Sequence, residues 1–119
     1  VAFASGWSKR WGKSDFYNKD SNGVAHTPGW SIEALDLILN ERGALAIGHE
    51  TLDTDASIDI IKNNFLLSEK FVLDTNKYQV EVLNNLNLLP AKDGVIFIGV
   101  PKFDKLPGFP VRAFAIIPN

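Results

Sequence analysis

The stretch Ala44–Ser57, ALAIGHETLDTDAS, constrains this chain more than any other. Its opening apolar run, Ala44-Leu45-Ala46-Ile47, reads as a buried strand. The run turns at Gly48 and then places five ionisable residues, His49, Glu50, Asp53, Asp55 and Asp59, within eleven positions. A helix pattern leads directly into it. Ser31 is a suitable N-cap, Ile32, Leu35, Ile38 and Leu39 recur at helical spacing, and Gly43 is a fitting C-cap. A helix feeding a strand that empties into a loop of carboxylates and imidazole is an α/β arrangement. Loops held by such a scaffold are where α/β proteins place their chemistry.

The remaining segments fit the same class. Val1–Ser5 is a short apolar strand, followed by a long polar loop, Gly6–Pro28, with Trp7, Trp11 and Phe16 near its start. Ile58–Leu67 suits a helical turn, and Ser68–Lys77 a second short helix capped by Ser68. Gln79–Leu83 alternates as a half-buried strand, while Gly94–Val100 and Val111–Ile117 are apolar strands either side of the Pro/Gly-punctuated loop Pro101–Pro110. The expectation is an α/β fold: a mixed β-sheet of about five strands with helix packing.

Composition narrows the function classes. A net charge of -2 provides no electrostatic footprint for nucleic acid or a membrane surface, so neither is an expected partner. The chain has no cysteine, so a metal would have to be held by His, Asp and Glu. No apolar stretch approaches a membrane span, and no signal-peptide pattern opens the sequence, which points to a cytoplasmic protein. There is no P-loop, no G-x-S-x-G and no H-E-x-x-H.

Several residues are candidates for a site. The cluster WSKRW, with Lys9 and Arg10 between Trp7 and Trp11, reads as a substrate-facing wall, a cation–π pair, a cover over the core or an oligomer contact. His26 and His49, the two histidines, each sit just outside a regular element, where they act as ligands or as satisfied structural residues. Glu81 lies between Val80 and Val82, so alternation puts it on the face of Gln79 and Leu83. Facing inward, it would need a cation or donors; with both valines inward, it faces water.

Three pieces carry a family resemblance: HTPGWSIEALDLILNERGALAIGHETLDTD, YQVEVLNNLNLLP and GVIFIGVPKFDKLPGFPVRAFAIIP. Together they resemble the cyclase family of metal-dependent hydrolases, of the kynurenine formamidase and isatin hydrolase type. The implied fold is part of a swivelling β/β/α domain. The implied activity is metal-dependent hydrolysis of a cyclic amide, formamide or related C–N bond of a small-molecule substrate, in a homo-oligomer. The family's H-x-G-T-H-x-D-x-P metal motif does not occur here. The chain, which also lacks methionine, is therefore expected to be residues 1–119 of a C-terminal part whose N-terminal half holds the main ligands of a divalent metal, Mn or Zn. Glu81 matches a ligand glutamate of formamidase-like members. Glu69 stands where those members have a histidine, a departure that suits a harder ion or a single-metal site. Trp7 and Trp11 match an aromatic region of the substrate pocket, and His26 and His49 are assigned to the same pocket. The competing expectation is a non-catalytic binding or assembly module that keeps the fold without the metal.

Overall fold

The computed structural model describes residues 1–118. They divide into two compact units, Val1–Leu86 and a second beginning at Asn87.

In the first unit, three short strands form a wholly parallel sheet in the order β1-β2-β3, with β1 at Ala2–Phe3, β2 at Ala46–His49 and β3 at Tyr78–Val80. Ala2 lies opposite Gly48, and Gly48 opposite Val80, so all three carboxyl ends reach the same edge. Parallel neighbours need crossover connections, and helices supply them. Helix α1, Ile32–Asp36, starts at Ser31, whose Oγ accepts from the Ala34 amide at 3.2 Å. It widens into a π-helical turn over Leu37–Glu41 and stops before Gly43 at φ +69°, a backbone conformation that suits glycine. Leu35 and Leu39 from this segment pack with Ile47 and Val72 as the buried core, flanked by Trp30, Ile38, Ala44 and Phe71. Leu45, inside the expected buried run, is 74% exposed, because β2 begins one residue later.

The second crossover carries α2, Ser57–Asn63, and α3, Leu67–Asp74. Ser68 does not cap α3 as expected. Its amide and that of Glu69 donate to the two carboxylate oxygens of Asp55, at 2.8 and 2.9 Å, and its hydroxyl donates to the Trp30 carbonyl at 2.8 Å. Gly29 lets the two loops meet: a Cβ there would lie 2.0 Å from the Ala56 amide nitrogen. The third strand is also shorter than expected. After Val80 the chain leaves the ladder, turns at Val82 with φ +53°, and returns amides of Val82 and Leu83 to the carbonyls of Thr51 and His49. Strand alternation therefore does not decide where Glu81 points.

The second unit contains the antiparallel pair β4, Val95–Gly99, and β5, Arg112–Ile116, with Phe97 opposite Phe114 and their rings stacked at 5.1 Å. The five strands of the described residues thus form two small sheets, three parallel and two antiparallel, within the expected mixed α/β class. No helix among the described residues is long and apolar enough to cross a membrane.

Candidate functional site

The carboxyl edge of the parallel sheet gathers most of the chain's chemistry. The loop after β2 is polar yet deeply buried: His49, Glu50, Thr51, Thr54 and Asp55 are each 3% exposed or less. Burial of this kind requires partners, and each side chain has them. Glu50 Oε2 accepts from the Trp7 amide at 2.8 Å and the Ser5 hydroxyl at 3.0 Å, while Oε1 accepts from the Ser8 hydroxyl at 3.0 Å. This carboxylate thereby anchors the short 3-10 turn Trp7–Arg10 against β2. Asp55 holds the start of α3, as described above.

The anchored turn aims Trp7 into an open cavity of about 530 Å³, lined by Phe3, Ser5, Trp7, His26, Thr27 and Ile58 among others. Trp7 is fixed on two further sides. Its indole N–H donates to the Phe16 carbonyl at 3.0 Å, and the Arg10 guanidinium lies 4.8 Å from its ring centroid. His26 Nε2 is 3.1 Å from Asp20 Oδ2, and that contact leads the causes holding the Asp20 carboxyl below the usual range. Thr27 hydrogen-bonds Ser57 through both its amide and its hydroxyl, which ties the cavity wall to the start of α2. Trp11 lies elsewhere: it is 59% exposed and packs edge-on against Phe16.

The same edge also carries carboxylates: Asp53 in the loop after β2, Glu69 on α3 and Glu81 just after β3. Burial pushes Glu81 up to about 7, reinforced by the charges of Glu69 and Asp53. Burial also raises Glu69, with Asp53 and Asp55 adding to it, and raises Asp53, with Asp55 adding to it. Gln79 Nε2 approaches Glu81 Oε1 at 3.4 Å. His49, between the cavity and the carboxylates in sheet order, has burial as the cause that drives it down to about 4, against a smaller opposing pull from the Thr51 backbone. It is a neutral imidazole at physiological pH.

The expected site residues thus fall into distinct settings. Trp7 and His26 share the cavity, Glu69 and Glu81 share an electrostatic neighbourhood, His49 sits buried on two threonines, and Trp11 stands apart. Asp53, one of the ionisable residues that stood out in the loop sequence, joins Glu69 and Glu81 electrostatically, whereas Ser5, Ser8, Thr54 and Gln79 carried no sequence signal as partners. Among the described residues, no group of three or more His, Cys, Asp or Glu is arranged to hold a metal ion. The carboxylate oxygens are of the right hardness for a divalent cation, but they fall short in number.

Comparison with known proteins agrees with this architecture. The Cyclase family model matches residues 1–56. Isatin hydrolase of Roseibium aggregatum is 28% identical over 120 residues, an alignment covering all of this chain and 45% of that protein. The solved structure of isatin hydrolase A from Ralstonia solanacearum superposes with a TM-score of 0.87 at 30% identity, over 99% of this chain and 45% of that one. Isatin hydrolase A from Labrenzia aggregata, bound to benzyl benzoate, superposes at 0.85 with 30% identity, over 98% of this chain and 45% of that one. The chain thus spans somewhat under half the length of the relatives it matches. Its first 56 residues are thus similar to the Cyclase family model, and its fold, over nearly the whole chain, is similar to part of the longer isatin hydrolases.

Proposed function

We propose that this chain is the C-terminal part of a metal-dependent hydrolase that opens a cyclic amide, or cleaves a formamide or related C–N bond, on a substrate carrying an aromatic ring. The observation that carries this reading is the superposition on isatin hydrolases over nearly the whole chain. The cavity supports it: Phe3, Trp7 and Ile58 supply apolar walls for a flat ring, and Ser5 and His26 supply polar groups at its margin. Glu81 and Glu69 are the residues of this chain assigned to the metal. Their mutual repulsion is the kind of strain that a cation relieves. Further ligands come from outside these 119 residues. A divalent cation supplies Lewis acidity toward a carbonyl oxygen and acidifies bound water. The chain's own residues seat the ring, exclude water from one side of it through Phe3 and Trp7, and keep a carboxylate at the sheet edge.

The test is turnover by the full-length gene product containing this chain, loaded in turn with Mn²⁺ and Zn²⁺ and supplied with isatin and with N-formyl aromatic amines. The expected result is hydrolysis of at least one of them that a chelator abolishes. Substituting Glu81→Gln should lower metal affinity or rate by about 10–100-fold, the usual effect of disturbing a metal's surroundings. A second reading, a binding module without catalysis, is favoured by the short count of ligands among the described residues. Saturable binding of these aromatic compounds, with no turnover under either metal, would establish it and overturn the first.

A further inference from the structure

A chain of polar side chains crosses the sheet edge from β2 to Glu81. Thr51 Oγ1 lies 2.9 Å from His49 Nδ1, and Thr54 Oγ1 lies 3.2 Å from His49 Nε2. Thr54 Oγ1 continues to Gln79 Oε1 at 2.6 Å, and Gln79 Nε2 to Glu81 Oε1 at 3.4 Å. His49 and Thr54 are 1% exposed or less, so water does not substitute for these partners.

The direction of the chain follows from Gln79, whose Oε1 accepts the Thr54 hydroxyl and whose Nε2 donates to Glu81 Oε1. The single hydroxyl proton of Thr54 is then committed to Gln79 Oε1, and its oxygen is left to accept from His49 Nε2–H. A neutral imidazole has one N–H and one lone pair, so Nδ1 takes the hydroxyl proton of Thr51. Thr51 has a competing acceptor in the Asp53 carbonyl at 3.0 Å. The Thr51 carbonyl accepts the Val82 amide at 3.0 Å and keeps a second lone pair, so it is the rival that would draw the proton onto Nδ1.

We infer that His49 is a positioning residue for Glu81: held as the Nε2–H tautomer, it fixes Thr54 and Gln79 so that the Gln79 amide presents its NH₂ to the carboxylate. The inference rests on Glu81 being the carboxylate of the site proposed above, and its readout needs no turnover. The loop that sequence reading singled out thereby acts through the neighbouring strand.

The experiment is long-range ¹H–¹⁵N NMR on the metal-free 119-residue chain, labelled with ¹⁵N at histidine and with ¹³C at glutamate, at pH 8. A His26→Gln variant assigns the signals. The expected result is a protonated Nε2 and an unprotonated Nδ1 at His49; the reverse assignment overturns the inference. A second arm reads the Glu81 carboxyl carbon in Thr54→Val and Thr54→Ser. Its resonance should shift in the first and return toward the original in the second, although Thr54 makes no hydrogen bond to Glu81. An unmoved resonance in folded Thr54→Val overturns the inference. If that variant does not fold, the tautomer of the unsubstituted chain still decides. Absence of hydrolase activity in the full-length protein, with the expected tautomer found, would count against the function and leave the positioning chain standing.

Discussion

Glu50 shows how a single side chain organises the aromatic wall. It is 1% exposed, and its carboxyl oxygens accept three hydrogen bonds, from the Ser5 hydroxyl, the Trp7 amide and the Ser8 hydroxyl. Truncation to alanine would strand a half-buried amide and two half-buried hydroxyls and leave a void where the side chain was, at a cost of about 2 kcal/mol. Urea unfolding monitored by tryptophan fluorescence checks this. Glu50→Gln should cost less, because it keeps an acceptor and the shape. Equal stability of Glu50→Ala and the unsubstituted chain would show that the anchor is idle. Two other residues set opposing pH dependences. Glu81 is raised from 4.5 to about 7, so the folded state binds a proton that the unfolded state has released, and stability falls as pH rises across that window. His49 is lowered from 6.5 to about 4, so the unfolded state binds the extra proton, and stability rises with pH across its own window. Between pH 4.5 and 6.5 the two slopes oppose each other. Glu81→Gln should expose the rising His49 slope and raise stability at pH 8 by about 1 kcal/mol, a figure discounted for the half-exposure of Glu81. Unfolding curves at a series of pH values, without metal, would contradict this if the variant were no more stable than the parent at pH 8.

At the scale of elements, what was legible in the sequence is what is local. Ser31 caps α1 through an amide three residues on, and Gly43 ends the segment through its own backbone, so both could be read from spacing. The start of α3 could not: its acceptor, Asp55, lies 13 and 14 residues before the amides it holds. A Ser at the expected position looked sufficient, yet its hydroxyl is spent on the Trp30 carbonyl. The facing of Glu81 could not be read from alternation, for a similar reason. Period-2 alternation presumes a continuing ladder, and here the ladder stops at Val80 because Val82 adopts a positive φ to reach Thr51. The cavity was half legible: Trp7 stood out as one of two indoles, but only the fold separates it from Trp11. Replacing Asp55 by alanine should destabilise the chain by about 2 kcal/mol, the upper end for loss of a helix cap. Amides of Ser68 and Glu69 should lose hydrogen-exchange protection together. Gly29→Ala should be worse, by about 3 kcal/mol or more, because its Cβ would overlap backbone that cannot yield. Wild-type melting of Gly29→Ala would refute the close approach of the two loops.

The two units differ in how far they satisfy their own sequences. The first closes a core around Leu35, Leu39, Ile47 and Val72. The second presents apolar side chains on both faces of one hairpin. Val95, Phe97, Phe114 and Ile116 share one face and are 45–58% exposed, and Ile96, on the other, is 47% exposed. A strand with no polar position on either face has the composition of one covered on both sides, and a lone two-stranded hairpin is marginal in water. Unpaired edges on an apolar ribbon also invite association. Two consequences follow for the 119-residue chain in solution. Amides of β4 and β5 should exchange much faster than those of β2. The chain should also self-associate as concentration rises into the tens of micromolar, a rough threshold for exposed apolar surface. Phe114→Lys, which breaks the stacked Phe97–Phe114 pair and charges that face, should suppress the association while leaving β2 protection unchanged. Sedimentation velocity and hydrogen exchange on the same samples measure both. A monomer at all concentrations with slowly exchanging β4 and β5 amides would mean that the hairpin is stable as it stands, and its apolar faces would then need no cover.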